Sequence, residues 1–182
     1  MPVPARRSAV VVPVREASNL VDRWRERTCE VKPSFAVPPH VTLLFPFMAP
    51  GLIDDRIIAS LREALASFGS FPFRFEKTGR FPGTLYLAPD PAEPFLQMTA
   101  ALASAFPEFP PYGGAFEAIL PHLTVAQGEG AVLDEAEGEM RRALPLRASA
   151  REALVIGESD ANRRWRTVAR LPLGETEAGT PA

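Results

Sequence analysis

The stretch Pro39-His40-Val41-Thr42-Leu43-Leu44-Phe45-Pro46-Phe47 has a counterpart later in the chain, Pro121-His122-Leu123-Thr124-Val125. His40 and His122 are the only histidines in 182 residues, and both stand in the frame Pro-His-x-Thr followed by apolar residues. Given nine threonines and 20 prolines, chance gives this double match roughly 1 time in 30,000, so the two motifs read as one device used twice. On a strand, alternate side chains share a face. His40 and Thr42 therefore project together while Val41 and Leu43 point into a core; His122 and Thr124 do the same over Leu123 and Val125. Phe45 has the parity opposite to His40 if the strand stays regular, and reads as core.

Working outward, residues 9–14 have the length and β-branched content of a buried strand. Ser18 is placed to cap a helix through Leu20, Val21 and Trp24, with Trp24 in the core. A proline-rich loop, 31–39, delivers the chain to His40, and 40–47 reads as strand. Ile53, Ile57, Ile58, Leu61, Leu65 and Phe68 then form one stripe at helical spacing, with Asp54 and Asp55 at the positive end of the helix dipole. Strands are expected at 71–76 and 85–88, joined by a turn containing Gly79 and Gly83. Asp90-Pro91-Ala92-Glu93 has the order of a helix start, and the helix it opens carries Phe95, Leu96, Leu102 and Phe106.

After a loop at 107–116 the order repeats. A strand at 122–126 leads to a helix with Leu133, Ala136, Met140 and Leu144, which Gly138 weakens by about 1 kcal/mol relative to alanine. Strands follow near 153–156 and 165–171. His40 lies 13 residues before the Ile53 helix and 45 before the strand at 85; His122 lies about 10 and 43 residues before its equivalents. These spacings imply two α+β lobes that face each other, one histidine from each, within a single domain at 1–174. The polar tail, 175–182, reads as disordered.

Composition narrows the partners. An apolar fraction of 46% and a charged fraction of 23% are those of an ordinary globular protein. A net charge of −2 argues against a protein that tracks long RNA or DNA, which needs many phosphate contacts. A small phosphate-bearing substrate, or one end of an RNA, fits better. Nearly all the basic residues are arginine, which suits bidentate phosphate contacts; only Lys32 and Lys77 are lysine. Cys29 stands alone, so no internal disulfide forms, and an inert thiol in a cytoplasmic protein is expected; the chain is expected to be a monomer. No stretch approaches the roughly 20 apolar residues of a membrane span, and no signal peptide of normal length fits the first residues.

Two imidazoles and two hydroxyls around one cleft suit in-line attack on a phosphodiester. One neutral imidazole takes a proton and the other, protonated, gives one to the departing oxygen. The threonine hydroxyls donate to the non-bridging oxygens as charge develops. The sequence offers no carboxylate or Cys/His cluster for a metal, and the reaction calls for no cofactor.

On these two motifs, and on the matching order of elements over residues 8–174, the chain resembles the two-histidine phosphoesterases, also called 2′-5′ RNA ligase-like or LigT-like proteins. The resemblance implies a bilobal α+β fold with pseudo-twofold symmetry and a cleft between two small antiparallel sheets. It implies action on 2′,3′-cyclic phosphates, 2′-5′ linkages or related cyclic nucleotides, and in some members resealing of 2′-5′ RNA ends. It gives His122 the base role and His40 the acid role in ring opening, exchanged in the reverse reaction. Several RNA cyclic phosphodiesterases of the family carry arginine three residues after the second threonine. Here that position is Gln127, which removes a cation and leaves the substrate open.

Two further sets of residues have alternative readings. Tyr112, in Pro110-Pro111-Tyr112-Gly113-Gly114, either stacks on a base in a substrate loop or is an aromatic in a tight turn. Arg164 and Arg166, which with Arg163 flank Trp165, either steer phosphate or form a solvated strand face. Two rival functions also stay open: a silent RNA- or nucleotide-end binding protein, and a phosphoesterase for a non-nucleotide cyclic phosphate.

Overall fold

A computed structural model describes residues 7–29, 37–159 and 164–174. The elements run β1 (Ser8–Pro13), α1 (Ser18–Thr28), β2 (His40–Leu44), α2 (Asp55–Leu65), β3 (Phe71–Phe81), β4 (Thr84–Asp90), α3 (Glu93–Ala105), β5 (Leu123–Gln127), α4 (Ala131–Ala143), β6 (Leu146–Ala150), β7 (Glu152–Glu158) and β8 (Trp165–Pro172). The expected tail, Arg163 and most of the proline-rich loop lie outside the described residues.

All eight strands form one antiparallel sheet in the order β6-β3-β4-β5-β2-β1-β7-β8. The two sheets expected from the sequence are halves of this one. They meet where β2 and β5 lie side by side, and the register there is a single pair, Val41 with Leu123. Each half carries one histidine motif, but the halves are not consecutive in sequence. After α2 the chain crosses to β3 in the β5 half, and after β6 it returns to β7 beside β1.

The main core lies on the face bearing Val41, Leu43, Leu123 and Val125, where α2, α3 and α4 add Leu61, Phe95, Met98, Leu102 and Met140, all buried. Phe95 meets Phe71 and Phe73 edge-on at 5.2 and 5.1 Å, a geometry that suits the ring quadrupoles. A smaller cluster of Ala9, Val11, Val37, Leu154, Ile156 and Trp165 is separate from it. Trp24 is core, as expected, with its indole N–H on Glu139 at 2.9 Å.

Several local expectations change in the fold. Asp54 caps α2 through Oδ1, which accepts from the amides of Arg56 and Ile57 at 3.0 and 2.9 Å. Ser18 is no cap, because a 3-10 turn at Arg15–Ala17 runs straight into α1 and the Ser18 amide already donates to the Arg15 carbonyl. Asp90 is no cap either: it ends β4 and pairs with Arg74 across the strand pair at 2.9 Å. Gly79 lies inside β3 rather than in a turn, since β3 and β4 are longer than their apolar runs and turn only at Gly83. β6, a short edge strand beside β3, was not expected.

The two motif strands also carry matching irregularities. Register shifts between Val10 and Val11 opposite β2, and between Leu85 and Tyr86 opposite β5. Each leaves one extra residue on the motif strand, a bulge that reverses the side-chain alternation beyond it. Leu43 and Leu44 are thus both buried, as are Val125 and Ala126. β2 ends at Leu44, and Phe45 and Phe47 part company. Phe45 packs against the smaller cluster, whereas Phe47 enters the main core between Phe106 and Phe109 at 5.2 and 5.1 Å.

Leu123 is fully buried at the seam, so Leu123→Ala should cost about 2–5 kcal/mol in urea unfolding. Gly138→Ala should act oppositely. A methyl there meets nothing closer than the Arg142 side chain at 3.7 Å, so removing the glycine should raise stability by up to about 1 kcal/mol in the same assay.

Candidate active site

His40 opens β2, and His122 stands immediately before β5. Each imidazole Nδ1 lies against the carbonyl oxygen two residues earlier, Pro38 at 2.9 Å and Leu120 at 2.8 Å. A carbonyl only accepts, so Nδ1 carries the hydrogen and Nε2 is left for proton transfer. The intervening residues, Pro39 and Pro121, have no N–H and hold the preceding residue extended. This accounts for the proline in each frame.

His40, Thr42 and Thr124 line one cavity of about 230 Å³. His122 lines an adjoining groove of about 470 Å³, and Thr124 and Gln127 belong to the walls of both. Phe45 and Gln127, each three residues beyond its threonine, also face the cavity. The bulges put them there. Phe45 thus lines the cavity as well as packing against the smaller core cluster.

Two arginines that the motifs do not point to line the cavity: Arg7 and Arg25. Arg25 is only 3% exposed. It donates to Asp22 at 3.0 Å and to the carbonyl of Val37 at 3.2 Å. Its position was readable, since Arg25 shares the buried stripe of α1 with Val21 and Trp24, and an arginine on such a stripe needs a polar reason to be there. Arg7 is held by Glu158, itself 2% exposed, at 2.8 Å, and its guanidinium lies 5.7 Å from the Trp165 ring centre. The cavity thus carries two guanidinium groups although position 127 is Gln.

Thr28 ties the two halves together at this point. Its hydroxyl donates to the carbonyl of Trp24 at 2.7 Å and accepts the Gln127 amide at 3.1 Å. Cys29, next to it, is buried against the same cavity.

Electrostatics separate the two imidazoles. Burial, and then the charge on Arg25, hold His40 down to about 4, against the opposing pull of the Pro38 carbonyl; His122 adds a further small repulsion. His122 is also lowered by burial, opposed by the Leu120 carbonyl. It is packed by aromatic rings, with Phe81 at 5.1 Å and Tyr86 at 5.6 Å. Tyr86 stacks on Phe81 at 4.4 Å. It can lie there only because residue 79 is glycine: a Cβ at that position would sit 2.3 Å from the Tyr86 ring.

Tyr112 does not join the His40 cavity. It lies in a 3-10 turn at Pro111–Gly114, in the left-handed region at φ 53°, and donates its amide to the Phe45 carbonyl at 2.5 Å. Its ring lines the groove beside His122 and meets Phe116 edge-on at 5.7 Å. Arg164 and Arg166 are exposed and line neither space; Trp165 between them turns inward to the cavity. Among the described residues, no three His, Cys, Asp or Glu side chains converge as metal ligands, and no helix is long and apolar enough to cross a membrane.

The chain is similar to known proteins in sequence and in fold. Two Bacillus relatives, each described as a putative phosphoesterase, are similar in sequence. That of B. pumilus is 28% identical over 123 residues, 65% of this chain and 67% of its own. That of B. licheniformis is 24% identical over 150 residues, 80% of this chain and 83% of its own. Escherichia coli LigT in complex with 3′-AMP superposes with a TM-score of 0.62 at 18% identity, over 92% of this chain and 98% of that one. The protein TT0787 of Thermus thermophilus gives 0.59 at 18% identity, over 93% and 100%. At these identities the solved structures establish the α+β, LigT-like fold. A profile of the 2′-5′ RNA ligase superfamily matches residues 13–162, and the chain belongs to that superfamily.

Proposed function

We propose that the protein is a phosphoesterase that opens a 2′,3′-cyclic phosphate, or cleaves a 2′-5′ phosphodiester, on a nucleotide or RNA terminus. The observation that carries this reading is the matched pair of Nδ1–carbonyl bonds. They leave two Nε2 atoms for proton transfer, each beside its own threonine, and a purely binding protein has no need of that symmetry. His122 takes the proton of the attacking water, and His40 gives one to the departing ribose oxygen. Thr42 and Thr124 donate hydrogen bonds to the non-bridging oxygens, and Arg25 and Arg7 add positive charge on the His40 side. The imidazoles supply both proton transfers, so the reaction needs no metal ion. Ligation of 2′-5′ ends is the same path reversed, with the histidines exchanging roles. A single chain carries every group the reaction uses, which fits a monomer. Nucleotide binding by LigT, solved with 3′-AMP, ATP and NADP+, supports a nucleotide substrate here.

The acid must acquire its proton from a site that resists it. Burial and Arg25 keep His40 neutral in the free protein near pH 7. An anionic phosphate beside Nε2 favours the imidazolium and raises that value on binding. The pH profile of kcat/KM, which reports the free enzyme, should therefore be a bell centred below 6.5, the unperturbed histidine value, with the kcat bell displaced to higher pH. Identical bells centred above 7 would contradict the assignment.

His40→Ala and His122→Ala should each lower turnover of 2′,3′-cyclic AMP by at least about 100-fold while circular dichroism stays unchanged. Wild-type activity should survive EDTA. A fully active single variant, or loss on chelation that a divalent ion restores, would remove the two-histidine mechanism.

A further inference from the structure

The sheet is poorest in hydrogen bonds at the place where the site is built. The register between β2 and β5 is the single pair Val41 and Leu123. Continued regularly, it would set Val37 opposite Gln127, each four residues from that pair, and the two would exchange a backbone bond. The chain before β2 serves β1 instead: Pro38 and Pro39 have no N–H to give, and the Pro39 carbonyl accepts the Val14 amide at 2.7 Å.

The last turn of α1 fills the gap. The Arg25 guanidinium donates to the Val37 carbonyl at 3.2 Å, and the Thr28 hydroxyl accepts the Gln127 amide at 3.1 Å. Two groups that would bond each other in a closed sheet thus each bond α1. The hydroxyl gives its own hydrogen to the Trp24 carbonyl at 2.7 Å, which turns a lone pair towards β5. Behind it, the Trp24 indole on Glu139 at 2.9 Å anchors α1 to α4. The next amide along, that of Gly128, points the other way and donates to Gly83 at 3.0 Å, so the end of β5 is held from both sides.

From this arrangement we propose that Thr28 is a positioning residue of the active site, its hydroxyl standing in for a missing strand and fixing the part of β5 that carries Thr124. This rests on the phosphoesterase reading and deepens it. In β5 the ladder to β4 passes from Thr124 to Ala126 and skips Val125. A bulge leaves its extra residue without a ladder partner, so its shape depends on how its far end is held, and Gln127 is that end. Thr28 lines neither the cavity nor the groove, whereas Arg25 and Cys29 on the same turn line the cavity. It therefore acts through Thr124 and not on the substrate. With the tie cut, water takes the Gln127 amide and Thr124 loses the fixed aim on which a hydrogen bond to the reacting phosphate depends.

Thr28→Val keeps the shape of the side chain and removes the hydroxyl, while Thr28→Ser keeps the hydroxyl. On adenosine 2′,3′-cyclic phosphate, Thr28→Val should lower kcat/KM by about tenfold to a hundredfold, mainly through kcat, and Thr28→Ser should stay near the wild type. Hydrogen exchange at the Gln127 amide should quicken in Thr28→Val and not in Thr28→Ser. In a Thr124→Ala background the Thr28→Val loss should shrink to about twofold or less, because the group it aims is gone. Thr28→Ala repeats each comparison should the valine variant not fold. A fully active Thr28→Val, a loss that Thr28→Ser shares, or an equal loss in the Thr124→Ala background overturns the inference while sparing the catalytic reading. A wild type without turnover, whose Thr124 and Gln127 amide resonances still move in Thr28→Val but not in Thr28→Ser, sinks the catalytic reading and keeps the tie. Without turnover and without that movement, both fall.

Discussion

Where β2 meets β5, Val41 and Leu123 pair across the seam of the sheet with no exposure to solvent, and the layout of the cleft depends on their burial. Each sits between the histidine and threonine of its own motif. Because side chains alternate along a strand, burying the middle residue turns the other two to the opposite face. A slip of one residue in either strand would bring an imidazole into the main core and expose an aliphatic side chain. The hydrophobic core on one side of the sheet thus sets the register of the polar groups on the other.

The bulges in β2 and β5 extend this control beyond the threonines. In a regular strand, Phe45 and Gln127 would follow Leu43 and Val125 into the core. With one extra residue in each strand they face the cavity, and the buried positions pass to Leu44 and Ala126. The two halves therefore match in irregularity as well as in motif. Their contents differ, an aromatic ring on one side and an amide on the other, which begins the chemical asymmetry of a symmetric scaffold.

That asymmetry grows with distance from the seam. The same bond from Nδ1 to a carbonyl orients both imidazoles, yet their surroundings share little. His40 has a buried guanidinium nearby, balanced by Asp22, while His122 is packed by the Phe81 and Tyr86 rings. A cation near one imidazole disfavours its protonated form until an anion arrives. Aromatic packing exerts no comparable charge effect.

Much of this was legible in the residues alone. The Pro-His-x-Thr frame, strand parity from His to Thr and the apolar stripe of α2 each depend on neighbours within a few positions, and local geometry decides them. Arg7 and Thr28 were missed because their partners lie far along the chain: Arg7 meets Glu158, and Thr28 holds the Gln127 backbone amide; Arg25 was signalled only by its place on the buried stripe of α1. That Phe45 also faces the cavity was not legible because a bulge is set by the strand opposite, and Asp90 was misread because Arg74 across the sheet takes its carboxylate. The residues alone single out the two His-x-Thr pairs as the candidate site, since both histidines of the chain stand in identical frames. The tertiary structure alone decided what surrounds them, because the crossings after α2 and β6 bring together segments that no local pattern connects.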